Sequence, residues 1–383
     1  MIESVEINAF KCFDKIEISD MSPVTIIGGK NNVGKSTILE SILIQYVMIN
    51  PSYFIFLMNL HNEFMQDNAP ADKVWEHLFY NLSETDRFTI EYGRPIYATE
   101  GMKVNKSKLT VSKMYENMNV LQNDDTQSIL KQSYDSARIK KRYTAIHLNY
   151  ENDKYKFSGK CVVKGGKIGF IPDEKYMSKV STSLGNVYPD WQFETIIIFK
   201  NAASISPIVE WLSKTVLEND KKDMLIKMLN LFDKDIIAVS PVIESGNPNI
   251  IVTLKPDNGK EKYIAMSYMG DGMNKAFQLL VTILNLRDGI LLIDEFENGL
   301  YYELYEEVLA VLFEAALSVN CQIIMTTHSR DLVEAALSSM KKMGRIDSLC
   351  YQRIDRTKDR HYKSYIIKGE DLDVPFETGL EIR

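Results

Sequence analysis

Two apolar patterns alternate along this chain of 383 residues. Short, nearly uninterrupted apolar runs stand at Val24–Ile27, Glu194–Phe199, Gly289–Ile293 and Cys321–Met325. They have the length of strands buried on both faces, as in a parallel sheet covered by helices. Helical periodicity runs on from Thr37, over Ile205–Phe232 and over Ala276–Leu286, and another helix is expected to begin near Ser329. Elsewhere polar and apolar positions alternate, at Ser4–Asn8, Ile16–Ser19 and Arg87–Tyr92. Arg142–Leu148, Lys154–Val163 and Lys167–Ile171 do the same around Asn152-Asp153 and Gly165-Gly166 turns, and read as a small antiparallel sheet. Ile236–Val242, Ile250–Leu254 and Lys262–Met266 read as a second antiparallel set.

The fold class is therefore α/β with a mixed sheet. One domain assembles from two separated halves, 1–60 and 191–383, and residues 61–190 form an inserted helical and antiparallel region. That region holds a helical stretch past Pro51 to about Leu82 and a polar, Lys- and Asn-rich passage from Lys103 to Gln132 with the composition of an insertion.

The first strand runs into Gly29-Lys30-Asn31-Asn32-Val33-Gly34-Lys35-Ser36-Thr37 and then an apolar helix. Strand, glycine loop and helix in this order form a phosphate-binding loop. Gly29 and Gly34 permit turns that aim successive N–H groups inward, Lys35 adds a point charge for the β- and γ-phosphates, and the Ser36 hydroxyl can ligate Mg2+. The start of the helix adds its own partial positive charge.

Downstream, the run at Gly289 ends in Asp294-Glu295, carboxylates suited to holding Mg2+ and to orienting or deprotonating an attacking water. The run at Cys321 delivers Thr327 and His328 to the same rim of a parallel sheet, where a neutral His328 can hydrogen-bond a γ-phosphate. The blander reading of His328 is a cap on the helix beginning near Ser329. Gly270-Asp271-Gly272 precede a long helix and can present N–H groups to a phosphate, or can simply cap it.

Composition narrows the partners. A net charge of −7 argues against broad adhesion to nucleic acid. Arg138–Arg142 and Lys341-Lys342 with Arg345 read as solvated faces, with contact to nucleic-acid phosphates as the alternative. Cys12, Cys161, Cys321 and Cys350 lack any paired spacing for zinc or redox chemistry, which fits a reduced cytoplasmic compartment. Ile38–Leu60 is apolar enough to raise the question of a membrane span, but Glu40, Gln45, Asn50 and Pro51 interrupt it, and no membrane association is expected.

In their order, the phosphate loop, Gly270-Asp271-Gly272, Asp294-Glu295, Glu297-Asn298-Gly299-Leu300 and Thr326-Thr327-His328-Ser329 resemble the motifs of ATP-binding-cassette (ABC) ATPases. The chain is most similar to the non-transporter RecF, structural-maintenance and OLD group, and within it to stand-alone bacterial AAA ATPases associated with phage defence. Gly379–Arg383 is similar to endings seen there. The resemblance implies a P-loop NTPase head that hydrolyses ATP with Mg2+. It assigns Lys35, Ser36 and Thr37 to phosphate and metal, Asp294 to the metal, Glu295 to the water and His328 to the γ-phosphate. It implies a head-to-head homodimer in which Gly270, Asp271 and Gly272 cover the other copy's ATP and Asn298 lines the seam. Lys11, in Phe10-Lys11-Cys12-Phe13, resembles a basic residue that approaches nucleotide phosphates. A separately encoded effector, a nuclease, is the implied partner, and a RecF-like ATPase acting on DNA is the alternative.

The chain also departs from the pattern. Gly270 stands where the signature has a serine, and Gln122, Gln127 and Gln132 leave the metal-contacting glutamine unassigned. No stretch sustains the heptads of long coiled-coil arms. The stretch from Ser329 to Arg383 is too short for the Toprim nuclease domain of OLD-type proteins, and Asp371-Leu372-Asp373 reads as a solvated turn.

Overall fold

A computed structural model describes residues 1–45, 75–83, 85–98, 101–115, 143–152, 156–164, 167–173, 196–199, 205–244, 246–257, 260–359 and 361–372. Several expectations lie outside these residues: most of the apolar segment ending at Leu60, the Arg138–Arg142 cluster, the three glutamines, Gly379–Arg383, and the boundaries at 60/61 and 190/191.

The buried runs become the centre of a mixed six-stranded sheet. Strands β1 (Ser4–Phe10) and β2 (Phe13–Ile18) lead into β3 (Val24–Gly28), the phosphate loop and α1 (Lys35–Leu43). β3 lies parallel to β14 (Gln322–Thr326) on one side and β15 (Leu349–Arg356) on the other. Beyond β14 come β13 (Ile290–Ile293) and β9 (Ile196–Phe199), also parallel, while β16 (Tyr362–Lys368) pairs antiparallel with β15.

Strand periodicity divides the side chains of this sheet between two cores. Val24, Ile26, Leu291, Ile293, Ile323 and Met325 enter one core together with α2 (Ile205–Thr215), α3 (Asn219–Leu229), α4 (Asp271–Asn285), α5 (Tyr305–Ser318) and α6 (Arg330–Lys342). Ile27, Ile290, Leu292 and Ile324 enter the other, with α1 and a second sheet. Both faces are covered, so continuous apolar runs are required here. The expected helix Ile205–Phe232 is two helices, α2 and α3, the second beginning at Asn219.

The second sheet has seven antiparallel strands in the order β2-β1-β4-β5-β6-β7-β8. Its members after β2 are β4 (Arg87–Ala98), β5 (Gly101–Tyr115), β6 (Tyr143–Asn152), β7 (Lys156–Lys164) and β8 (Lys167–Pro172). This corrects two expectations. The last three strands extend the N-terminal sheet, joined through pairs such as Ile7 with Ile90, instead of forming a small sheet of their own. The part of the Lys-rich passage up to Tyr115 belongs to β5, whose alternation buries Leu109 and Val111 and leaves Lys106 and Lys108 on the outer face, and the rest of the passage lies outside the described residues. A half-exposed antiparallel strand tolerates that composition. The remaining strands, β10 (Ile236–Glu244), β11 (Asn247–Asp257) and β12 (Lys260–Ala265), form the second antiparallel set. No described helix is long and apolar enough to cross a membrane.

Candidate functional site

The carboxyl ends of β3, β13 and β14 lie side by side, bringing together the glycine loop, Asp294-Glu295 and Thr327-His328. They frame an open cleft of about 870 Å3 whose lining includes Asn31, Asn32, Lys35, Asp294, Glu295 and His328. Gly34 precedes α1 in the left-handed region with φ 89°. A Cβ there would lie 2.4 Å from the Phe13 ring, so only glycine lets the loop close against β2. Lys30 is exposed and offers the cleft only its carbonyl, whereas Val33 is 5% exposed and belongs to the core.

The Lys35 ammonium donates to the carbonyls of Gly29 and Lys30, each at 2.9 Å, and lies 3.1 Å from His328 Nδ1. An ammonium has no lone pair, so Nδ1 accepts and the ring carries its proton on Nε2. Nε2 faces Glu295 Oε1 at 3.8 Å. Burial pulls the Lys35 amine down to about 8, against the opposing pull of Glu297, Asp294 and Glu295.

Asp294 is 3% exposed, and its Oδ1 accepts from Ser36 Oγ at 2.9 Å and from Thr326 Oγ1 at 2.7 Å. Thr326 Oγ1 in turn accepts the Glu295 N–H at 2.8 Å, fixing a residue held at φ 49°. The Glu295 carboxylate accepts from Asn298 Nδ2 at 2.6 Å. Ser36 and Asp294 make a hard-oxygen pair, and no trio of His, Cys, Asp or Glu suited to a metal exists among the described residues. This donor set fits Mg2+, which keeps waters and takes substrate phosphate oxygens, and does not fit zinc.

Gly270, Asp271 and Gly272 do not line this chain's cleft. Tyr268, just ahead of them, is 85% exposed, and a Cβ on Gly272 would meet the Gly299 carbonyl at 2.6 Å. The turn at Gly272 thus packs against the loop after Asp294-Glu295, and Asn274 Nδ2 donates to the carbonyls of Met266 and Met269 at 2.9 Å. Thr37 reaches the cleft and accepts from the Cys12 thiol at 3.8 Å. Ser329, not His328, caps α6, its Oγ accepting from the Leu332 N–H at 3.2 Å.

The Lys11 ammonium pairs with Glu40 of α1 at 2.7 Å. The Glu40 carboxylate is 2% exposed, and a buried carboxylate needs a compensating charge.

Sequence reasoning assigned no role to Thr326, Lys275 or Glu297. Lys275, in the first turns of α4, donates to the carbonyls of Glu295 at 3.2 Å, Phe296 at 2.9 Å and Asn298 at 2.8 Å. Burial lowers its amine to about 8. Glu297 accepts the His328 N–H at 2.6 Å. Thr326 and Lys275 stand beside motif residues, but nothing local in the chain reveals their partners.

Residues 1–183 match the family described as AAA ATPase domain, and residues 200–334 match the family described as AAA domain, putative AbiEii toxin, Type IV TA system. A Helicobacter pylori protein named ATP/GTP phosphatase is 24% identical over 346 residues, which span 87% of either chain. Among solved structures, the SMC head domain from Thermotoga maritima is similar at 15% identity, with 96% of this chain and 98% of that one covered and a TM-score of 0.45. An SmcHead bound to the C-winged helix domain of ScpA is similar at 11% identity, with 97% and 99% covered and a TM-score of 0.48. A phosphate loop and a carboxylate pair joined by parallel strands, in a chain matched by ATPase families over both halves, make this protein an ATPase of P-loop fold.

Proposed function

We propose that ATP closes two copies of this chain head to head, and that closure and release control a separately encoded effector, a nuclease, in defence against phage. The carrying observation is that the turn at Gly272 packs against the loop after Asp294-Glu295 of its own chain, and that Gly270, Asp271 and Gly272 are not among the residues lining its own cleft. With Tyr268, Asn298, Tyr301 and Tyr302 exposed beside it, this face is available to a second copy. The description of the family matched by residues 200–334, which names a putative AbiEii toxin and a Type IV TA system, supports a partnered setting.

In this reading the γ-phosphate takes over the Lys35 ammonium from the Gly29 and Lys30 carbonyls, and His328 reports its presence. Mg2+ held by Ser36 and Asp294 supplies charge neutralisation at the phosphate oxygens. Glu295 accepts a proton as water forms a bond to the γ-phosphorus and the bond to the bridging oxygen breaks, leaving ADP and phosphate.

The test is the native mass of tagged Glu295→Gln protein, expressed with its neighbouring genes and purified with ATP and Mg2+ or without nucleotide. A dimer holding a second protein in an ATP-dependent ratio is expected. A monomer under both conditions would remove the closure step. A homodimer lacking a second protein, with turnover stimulated by DNA in a salt-dependent manner, would favour direct action on DNA.

A further inference from the structure

We propose that Glu297 is a positioning residue for hydrolysis: its carboxylate anchors the loop after β14 and so sets the His328 ring between Lys35 and Glu295. The inference rests on the reading of His328 given above.

Glu297 follows the catalytic pair by two residues and looks, in sequence, like a surface turn residue. Instead, its Oε1 accepts the His328 N–H at 2.6 Å, while Oε2 is buried and makes no hydrogen bond. Carboxylates are rarely left half satisfied away from water. This one is offset by two ammonium groups. Glu297 is the foremost of the carboxylates that sustain the charge on both Lys35 of the phosphate loop and Lys275 of α4. The neighbouring Ser329 N–H is held separately by Thr327 Oγ1 at 2.9 Å, so the His328 N–H depends on Glu297. One side chain thereby relates three segments far apart in sequence.

The test compares ATP turnover by Glu297→Ala and Glu297→Gln in native and His328→Ala backgrounds. We expect Glu297→Ala to lower kcat about ten-fold or more with KM changed by less than about three-fold. Glu297→Gln keeps an acceptor at the same reach and should restore most of kcat. In the His328→Ala background, removing Glu297 should cost less than about two-fold, because the residue it positions is gone. If the alanine variant does not fold, Glu297→Asp, which withdraws the carboxylate by one methylene, should show the same loss of kcat. Native kcat in Glu297→Ala, or an equal loss in both backgrounds, would overturn the proposal. Native turnover by His328→Ala alone would overturn the His328 role beneath it, and that single variant separates the two failures.

Discussion

The Lys35 ammonium stands 3.1 Å from Nδ1 of His328, a residue 293 positions further along the chain. This cation, suited to the phosphates, also donates to two carbonyls of its own loop. On the proposed reading, a γ-phosphate that takes the Lys35 ammonium would compete with these three contacts, coupling phosphate binding to His328.

Lys35→Ala should retain the fold, because the ammonium contacts only its own loop and His328, yet bind ATP about 100-fold more weakly or worse, in line with loss of a charge-assisted contact in a sheltered cleft. Calorimetric titration with ATP and Mg2+ checks this. Native affinity in the folded variant would move the nucleotide elsewhere.

Glu295→Gln should bind ATP normally and turn it over about 100-fold to 10,000-fold more slowly, the range expected for losing a general base. Single-turnover measurement separates this from slow release. The Asn298 amide that now donates to the carboxylate should still find the variant's carbonyl oxygen, so the loop should persist.

Affinity for ATP should fall as pH rises. The Lys35 amine is held at about 8 by burial, and phosphate binds the ammonium, not the amine. Below pH 8 the charge is already present; above it, binding must take up a proton, weakening affinity by up to about ten-fold per pH unit. Titrations at pH 7, 8 and 9 should be level and then decline, and Lys35→Arg, charged throughout, should flatten the curve. A level profile in the native chain would contradict the assignment.

Lys275→Met keeps the aliphatic stem but strips the donors from three carbonyls around Glu295. Unsatisfied carbonyls should lower stability by about 1–3 kcal/mol and reduce kcat more than ATP affinity. Denaturant midpoints and steady-state kinetics report the two effects, and an unchanged kcat would detach the signature helix from the catalytic loop.

Thiol labelling should be selective. Burial pushes Cys161 and Cys321 up to about 12, and Cys350 is also buried, whereas Cys12 lines the cleft. At pH 8, alkylation followed by mass mapping should find Cys12 modified first and ATP slowing it. Equal labelling with and without ATP would place the nucleotide away from Cys12.

Much of this was legible from the chain alone. The phosphate loop and Asp294-Glu295 rest on local spacing, so the ends of β3 and β13 could be anticipated without coordinates. Strand β5 was hidden because its outward lysines mask the period-two burial of Leu109 and Val111. The pairing of Lys11 with Glu40 was not legible, because no pattern announces that Glu40, in the helical run after the phosphate loop, is buried and needs a charge. Glu297 stood in a motif without a role of its own, and Lys275 had none, because neither one's partners are close in sequence.

The division has a physical basis. Backbone preference, burial period and glycine turns act within a few residues, so the order of strands and helices and the phosphate-loop motif are written locally. Which carboxylate meets which ammonium depends on β3, β13 and β14 lying in register, across segments hundreds of residues apart. Only the folded sheet brings Ser36 to Asp294, Glu297 to His328 and the turn at Gly272 to the loop after Asp294-Glu295.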